Sequence, residues 1–174
     1  MIFPKQTLDQ IRDILVERKQ TVAVAESVTS GLLQAAFSNA TDAALFFQGG
    51  ITAYNLGQKC RHLCVEPIHA LDCDCVSEKV SVQMATEVCR LFTSHYGIGI
   101  TGYATPIPEK KVTELFAHLC IVHNGTIMLA KKIDPADKTA LDAQLHFTGT
   151  VMDEFLKTLQ VSTHHVDREP YTFV

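Results

Sequence analysis

A chain of 174 residues is long enough for one domain with a sizeable core and too short for two comfortable ones. Its 47% hydrophobic and 20% charged residues are those of an ordinary globular protein, which excludes a disordered segment. The net charge of -4, with no basic run beyond pairs such as Lys110-Lys111 and Lys131-Lys132, argues against nucleic acid or a membrane surface as partner, so an anionic ligand would have to be held by local groups.

The N-terminus carries no basic region followed by an apolar core, and no run reaches the length of a membrane span, which points to a cytoplasmic protein. Leu8, Ile11, Ile14 and Leu15 recur at helical spacing over 7–18. The apolar run 21–25 predicts a buried strand that stops at Glu26 and Ser27, before a helical pattern opens at Gly31 and runs to about Ser38. Such a junction sets the hydroxyls of Ser27, Thr29 and Ser30, with free backbone N–H groups, at the mouth of a sheet. There a helix N-terminus favours an anion or a developing negative charge. The plainer alternative is that Thr29 or Ser30 caps the helix while Ser27 closes a turn.

Residues 45–54 predict a strand interrupted by Gly49-Gly50, a pair that weakens a strand unless a bulge, a tight bend or a close-approaching ligand requires it. Asn55 is placed to cap a short helix carrying Lys59 and Leu63, and 67–74 reads as a connection. Val76-Ser77-Glu78 then opens a longer helix with a core stripe of Val80, Met84, Val88, Leu91 and Phe92, Ala85 and Cys89 beside it. Residues 96–102 predict a strand ending in a polar turn. Gly97, Gly99 and Gly102 spell GxGxxG, but the first two fall inside the strand and not in a turn after it, so the letters do not make a dinucleotide fingerprint.

Strands over 115–123 and 126–133, joined by Asn124-Gly125, predict a hairpin with a type I′ turn, on which His118 and His123 are ordinary strand residues. The last helix is expected to start near Asp134-Pro135, Asp capping and Pro in the first turn, with a stripe of Leu141, Leu145, Thr148, Met152, Phe155 and Leu159. A single domain over 1–160 and a tail over 161–174 follow. The six cysteines are spread through predicted helices and strands, which favours reduced thiols, and Cys60, Cys64, Cys73 and Cys75 fit no standard zinc spacing, so no metal is expected.

Four blocks stand out together: Glu26-Ser27-Val28-Thr29-Ser30-Gly31; Gly49-Gly50 with Tyr54, Asn55 and Lys59; Val76-Ser77-Glu78; and Ile100-Thr101-Gly102. In this order and at these approximate spacings they resemble the competence/damage-inducible CinA C-terminal domain family, over about 8–159 of the chain. The resemblance implies a three-layer α/β/α sandwich with a mixed sheet, a homo-oligomer, a small nucleotide-like ligand and no cofactor. The family's characterised members are nicotinamide mononucleotide deamidases, which hydrolyse the nicotinamide amide to the acid and release ammonia. By that resemblance Ser27 is the nucleophile, Lys59 its proton acceptor and Tyr54 a supporting group, with substrate-binding positions at Glu26, Thr29, Ser30, Gly31, Gly50, Asn55, Thr101 and Gly102.

A serine hydroxyl needs a base, and a lysine serves only if burial lowers its pKa toward neutrality. Backbone N–H groups between Val28 and Gly31 would offer the oxyanion its donors. The chain also departs from the family. Ser30 stands where the family has glycine, Tyr103-Ala104-Thr105-Pro106-Ile107-Pro108 replaces a glycine-rich loop, and Ala136-Asp137-Lys138 with Asp142 replaces arginines suited to phosphate. Two functions follow: an amidohydrolase of the nicotinamide-nucleotide type with weakened or shifted substrate use, or a non-catalytic relative that binds a small ligand or acts through oligomerisation.

Overall fold

The computed structural model describes residues 3–134 and 139–162. In chain order it has α1 (Lys5–Glu17), β1 (Val22–Glu26), α2 (Leu32–Ser38), β2 (Phe47–Thr52), α3 (Leu56–Leu63), α4 (Pro67–Asp72), α5 (Glu78–Leu91), β3 (Tyr96–Tyr103), β4 (Phe116–His123), β5 (Thr126–Ile133) and α6 (Ala140–Ser162). The strands form one sheet in the order β2-β1-β3-β4-β5. β1 runs parallel to both β2 and β3, while β4 and β5 add antiparallel neighbours, so the sheet is mixed.

Alternation along the central strands sends side chains to two faces. Val22 and Val24, Ile98 and Ile100, Leu119 and Ile121 join one core with Leu8, Ile11 and Leu15 of α1, Leu33 and Phe37 of α2, and Phe147, Val151 and Phe155 of α6. Ala23 and Ala25 face the other way, onto Val80, Met84 and Val88 of α5, with Leu63 of α3 and Ala70 of α4. Helices on both faces of a mixed sheet make the three-layer α/β/α sandwich expected.

The glycines of β3 are there for packing. A Cβ on Gly97 would lie 2.1 Å from the carbonyl oxygen of Ala85, and one on Gly99 2.3 Å from that of Ser81, so α5 rests directly on the strand backbone. The Gly49-Gly50 pair also has a structural cause. The register between β1 and β2 shifts beside Gly49, which has φ 114, and a Cβ on Gly50 would lie 2.5 Å from Val24. In the hairpin Asn124 and Gly125 have φ 48 and 81, the left-handed pair a type I′ turn requires.

Several expectations need correction. The stretch 67–74 is not a plain connection: it contains α4, which starts with Pro67 and is capped by the Glu66 carboxylate, accepting from the N–H groups of Ile68 and His69. Leu91 is not core but 49% exposed, because α5 ends there and leaves the sheet. Leu141 is likewise 58% exposed, and the buried stripe of α6 starts at Ala143 and Phe147. That helix is capped by Thr139, whose hydroxyl accepts the Asp142 N–H at 3.3 Å, and not by Asp134. Pro135 and the aligned Ala136, Asp137 and Lys138 lie outside the described residues, as does the tail beyond Ser162. Among the described residues no helix is long and apolar enough to cross a membrane.

Candidate active site

Three parallel strands deliver their C-terminal ends to one place. β1 pairs with β2 on one side and β3 on the other, and the helices that follow β1 and precede β3 lie on opposite faces. In such sheets the crevice outside the strand ends is where ligands bind. Backbone bonds fix its centre: the Ala53 N–H reaches the Glu26 carbonyl at 2.9 Å and the Ser27 N–H reaches the Ile100 carbonyl at 3.1 Å. Ser27 is thereby clamped between the ends of β2 and β3.

Just beyond β2, Asn55 does cap α3, its side chain accepting the Gln58 N–H at 3.0 Å. One turn later Lys59 points inward. It is 2% exposed, Ser27 is 6% exposed, and Lys59 Nζ donates to Ser27 Oγ at 2.8 Å. Burial holds the Lys59 pKa below its ordinary 10.5; nearby Cys75, Asp74 and Cys60 oppose the shift without reversing it. A serine is therefore in contact with an amine whose proton is loosened.

These two residues open into a cleft of about 440 Å³. Thr101 forms part of it and donates to the Cys75 carbonyl at 2.8 Å. Cys75 and Asp74 both adopt left-handed backbone, with φ 62 and 51, which is costly for residues other than glycine. The Asp74 carboxylate accepts from the Tyr103 hydroxyl at 3.2 Å and pairs with Lys110 Nζ at 2.6 Å. Burial first, and Asp74 second, push the Tyr103 phenol up to about 12. Gln144 of α6 supplies a wall on another side.

Of the residues expected to form a site, Ser27, Tyr54, Asn55, Lys59, Thr101 and Gly102 line this cleft. Tyr54 is 71% exposed at its mouth and makes no hydrogen bond to Ser27 or Lys59. Glu26, Thr29, Ser30, Gly31 and Gly50 do not line it, and Glu26 has a different task. Its buried carboxylate turns under α2, accepting the N–H groups of Leu33 at 3.1 Å and Gln34 at 3.0 Å, the Thr29 hydroxyl at 2.5 Å and the Gln34 side chain at 2.9 Å. It satisfies the orphan donors of the helix start, and Thr29 serves it. Ser30 has φ 51 and its hydroxyl accepts from Gln144 Nε2 at 3.1 Å, while Gly31 turns the chain into α2 at φ 98. The Ser30 N–H is taken by the Ser27 carbonyl at 3.1 Å; those of Val28, Thr29 and Gly31 have no acceptor among the described residues.

Asp74, Cys75 and Gln144 had no signal of their own in the sequence. Tyr103 was marked only as part of the stretch that replaces the family's glycine-rich loop, and Lys110 only as half of a basic pair.

The family profile described as CinA C-terminal domain matches residues 5–148. The chain belongs to the CinA C-terminal domain family. It is 42% identical over 96 residues to a CinA-like protein of Picosynechococcus sp., covering 55% of this chain and 23% of that protein. With a CinA-like protein of Leptospira interrogans it shares 34% over 115 residues, 63% of this chain and 28% of that protein. It thus spans about a quarter of the length of these CinA relatives. Among solved structures, a CinA superfamily protein of Klebsiella pneumoniae superposes with a TM-score of 0.84 at 22% identity, over 90% of this chain and 98% of that one. A competence/damage-inducible protein of Agrobacterium tumefaciens gives 0.78 at 22% identity, over 90% and 97%. The CinA fold therefore accounts for nearly all of the described chain.

Proposed function

We propose that this CinA-family chain is an amidohydrolase that cleaves a carboxamide of the nicotinamide-nucleotide type and releases ammonia. The observation that carries the reading is the buried 2.8 Å contact between Lys59 Nζ and Ser27 Oγ at a cleft of ligand size.

Deprotonated Lys59 takes the proton of Ser27 Oγ as the oxygen attacks the amide carbon. The N–H of Val28, beside the nucleophile and without an acceptor among the described residues, meets the oxyanion. Protonated Lys59 then gives its proton to the leaving nitrogen, ammonia departs, and an ester on Ser27 remains. Water adds to that ester with Lys59 again accepting the proton, and collapse returns a proton to Ser27 Oγ and frees the acid. Tyr54, exposed at the mouth, serves the scheme by contacting the substrate ring.

The test is ammonia release from nicotinamide mononucleotide and from nicotinamide riboside by the purified protein, beside Ser27→Ala and Lys59→Ala. Release that both substitutions abolish is expected. No release from either compound at high enzyme concentration would overturn the reading and leave a ligand-binding CinA relative.

A further inference from the structure

Resting on the amidohydrolase reading, we infer that the cleft takes the carboxamide of a non-phosphorylated nucleoside in preference to its nucleotide, and that Asp74 is the residue that discriminates against the phosphate. Among the described residues of the cleft the charge-bearing side chains are Lys59, Asp74 and Lys110. Lys59 is committed to Ser27 at the buried end. Lys110 is the other cation among the described residues of the cleft, and Asp74 already neutralises it at 2.6 Å, with Glu109 adding negative charge beside it. No arginine or histidine lines the cleft among the described residues.

The carboxylate is also fixed in place. Asp74 and Cys75 are held in left-handed backbone, the Thr101 hydroxyl pins the Cys75 carbonyl, and the Tyr103 hydroxyl donates to the second oxygen of Asp74. Strain of this kind persists only where surrounding contacts over-determine it. A dianionic phosphate entering the cleft would have to strip Lys110 from a carboxylate that the Tyr103 hydroxyl also holds, and would then face that like charge. A ribose meets the opposite situation. Each Asp74 oxygen keeps a lone pair for a hydroxyl, and the carboxylate does not repel the ribose or the cationic pyridinium ring that both compounds share, so the phosphate alone is penalised.

The test is calorimetric titration of nicotinamide riboside and nicotinamide mononucleotide into the full-length Ser27→Ala protein, which isolates binding from turnover. The riboside is expected to bind more tightly than the mononucleotide. Adding Asp74→Asn, an isosteric change at a position where asparagine tolerates left-handed backbone, should shift the affinity ratio about tenfold toward the mononucleotide. Lys110→Gln, at an exposed side chain, should weaken the mononucleotide and spare the riboside. A mononucleotide bound as tightly as the riboside or more tightly with Asp74 intact, a ratio unmoved by Asp74→Asn, or no binding of either compound would overturn the inference. A riboside preference in a protein that releases no ammonia would sustain it while the amidohydrolase reading failed. Turnover selective for the mononucleotide would sustain that reading and sink the inference.

Discussion

Lys59 and Ser27 lie 32 positions apart and meet at 2.8 Å because parallel pairing carries the end of β2 level with the end of β1. Glu26 pairs with Thr52, the Ala53 N–H closes on the Glu26 carbonyl, and the Asn55 cap starts α3 at the one place from which its second turn looks back at Ser27. The contact is a product of strand register and one helix cap, so changes remote from the chemistry can break it.

Lys59 should cost stability and supply activity. Its folded pKa lies below the ordinary 10.5, so between those two values the unfolded chain binds more protons than the folded one. Stability therefore rises with pH through that window, and the penalty is present in full below it. Lys59→Met should be more stable than the parent at pH 7 by about 1 kcal/mol or more, with a smaller gain at pH 10, and should release no ammonia. Urea midpoints at the two pH values check it.

The same shift sets the pH dependence of catalysis. Ammonia release should rise with pH as Lys59 loses its proton, with the inflection below 10.5. A rate flat across this limb while Lys59→Ala stays inactive would assign Lys59 a positioning role.

Glu26 should matter for folding and not for substrate. Glu26→Gln turns a donor toward a site that presents three N–H donors and a hydroxyl, and should destabilise the chain by about 2 kcal/mol or more. At a temperature where the variant is folded, its KM should be close to that of the parent. A KM raised tenfold with unchanged stability would restore Glu26 to the ligand.

Ser30 pays for left-handed backbone that glycine adopts freely. Ser30→Gly relieves that strain and loses the Gln144 hydrogen bond; Ser30→Ala loses the bond and keeps the strain. The glycine variant should therefore exceed the alanine variant by about 1 kcal/mol in urea unfolding.

The β3 glycines should tolerate nothing larger. Gly97→Ala or Gly99→Ala would drive a methyl into the backbone of α5, and a loss of about 3 kcal/mol or failure to fold is expected, with no change in ligand specificity for any folded fraction.

What could be read from the residues follows from which periods are strong. The apolar run 21–25 and the Asn124-Gly125 turn carry their own geometry, and the strands and hairpin lie where expected. Ser27 and Lys59 were legible only as members of a family pattern, since no local signal says that α3 looks back toward β1. The place of Glu26 under α2 was not legible, because a polar residue ending a buried strand gives no sign of whether it turns to the cleft or under the next helix. Asp74 is hidden in the sequence, because six-residue α4 is too short to show a period and left-handed backbone at aspartate and cysteine has no sequence mark. Leu91 and Leu141 fit helical stripes but sit at helix ends, beyond the sheet that would cover them.

The most direct measurement is covalent labelling by a serine-directed sulfonyl fluoride, with the modified residue located by peptide mass mapping. An activated Ser27 predicts one dominant label on that residue, lost in Lys59→Met and falling as pH drops through the Lys59 titration. A label spread over other serines, or a Ser27 label indifferent to Lys59→Met, would contradict the serine-lysine account.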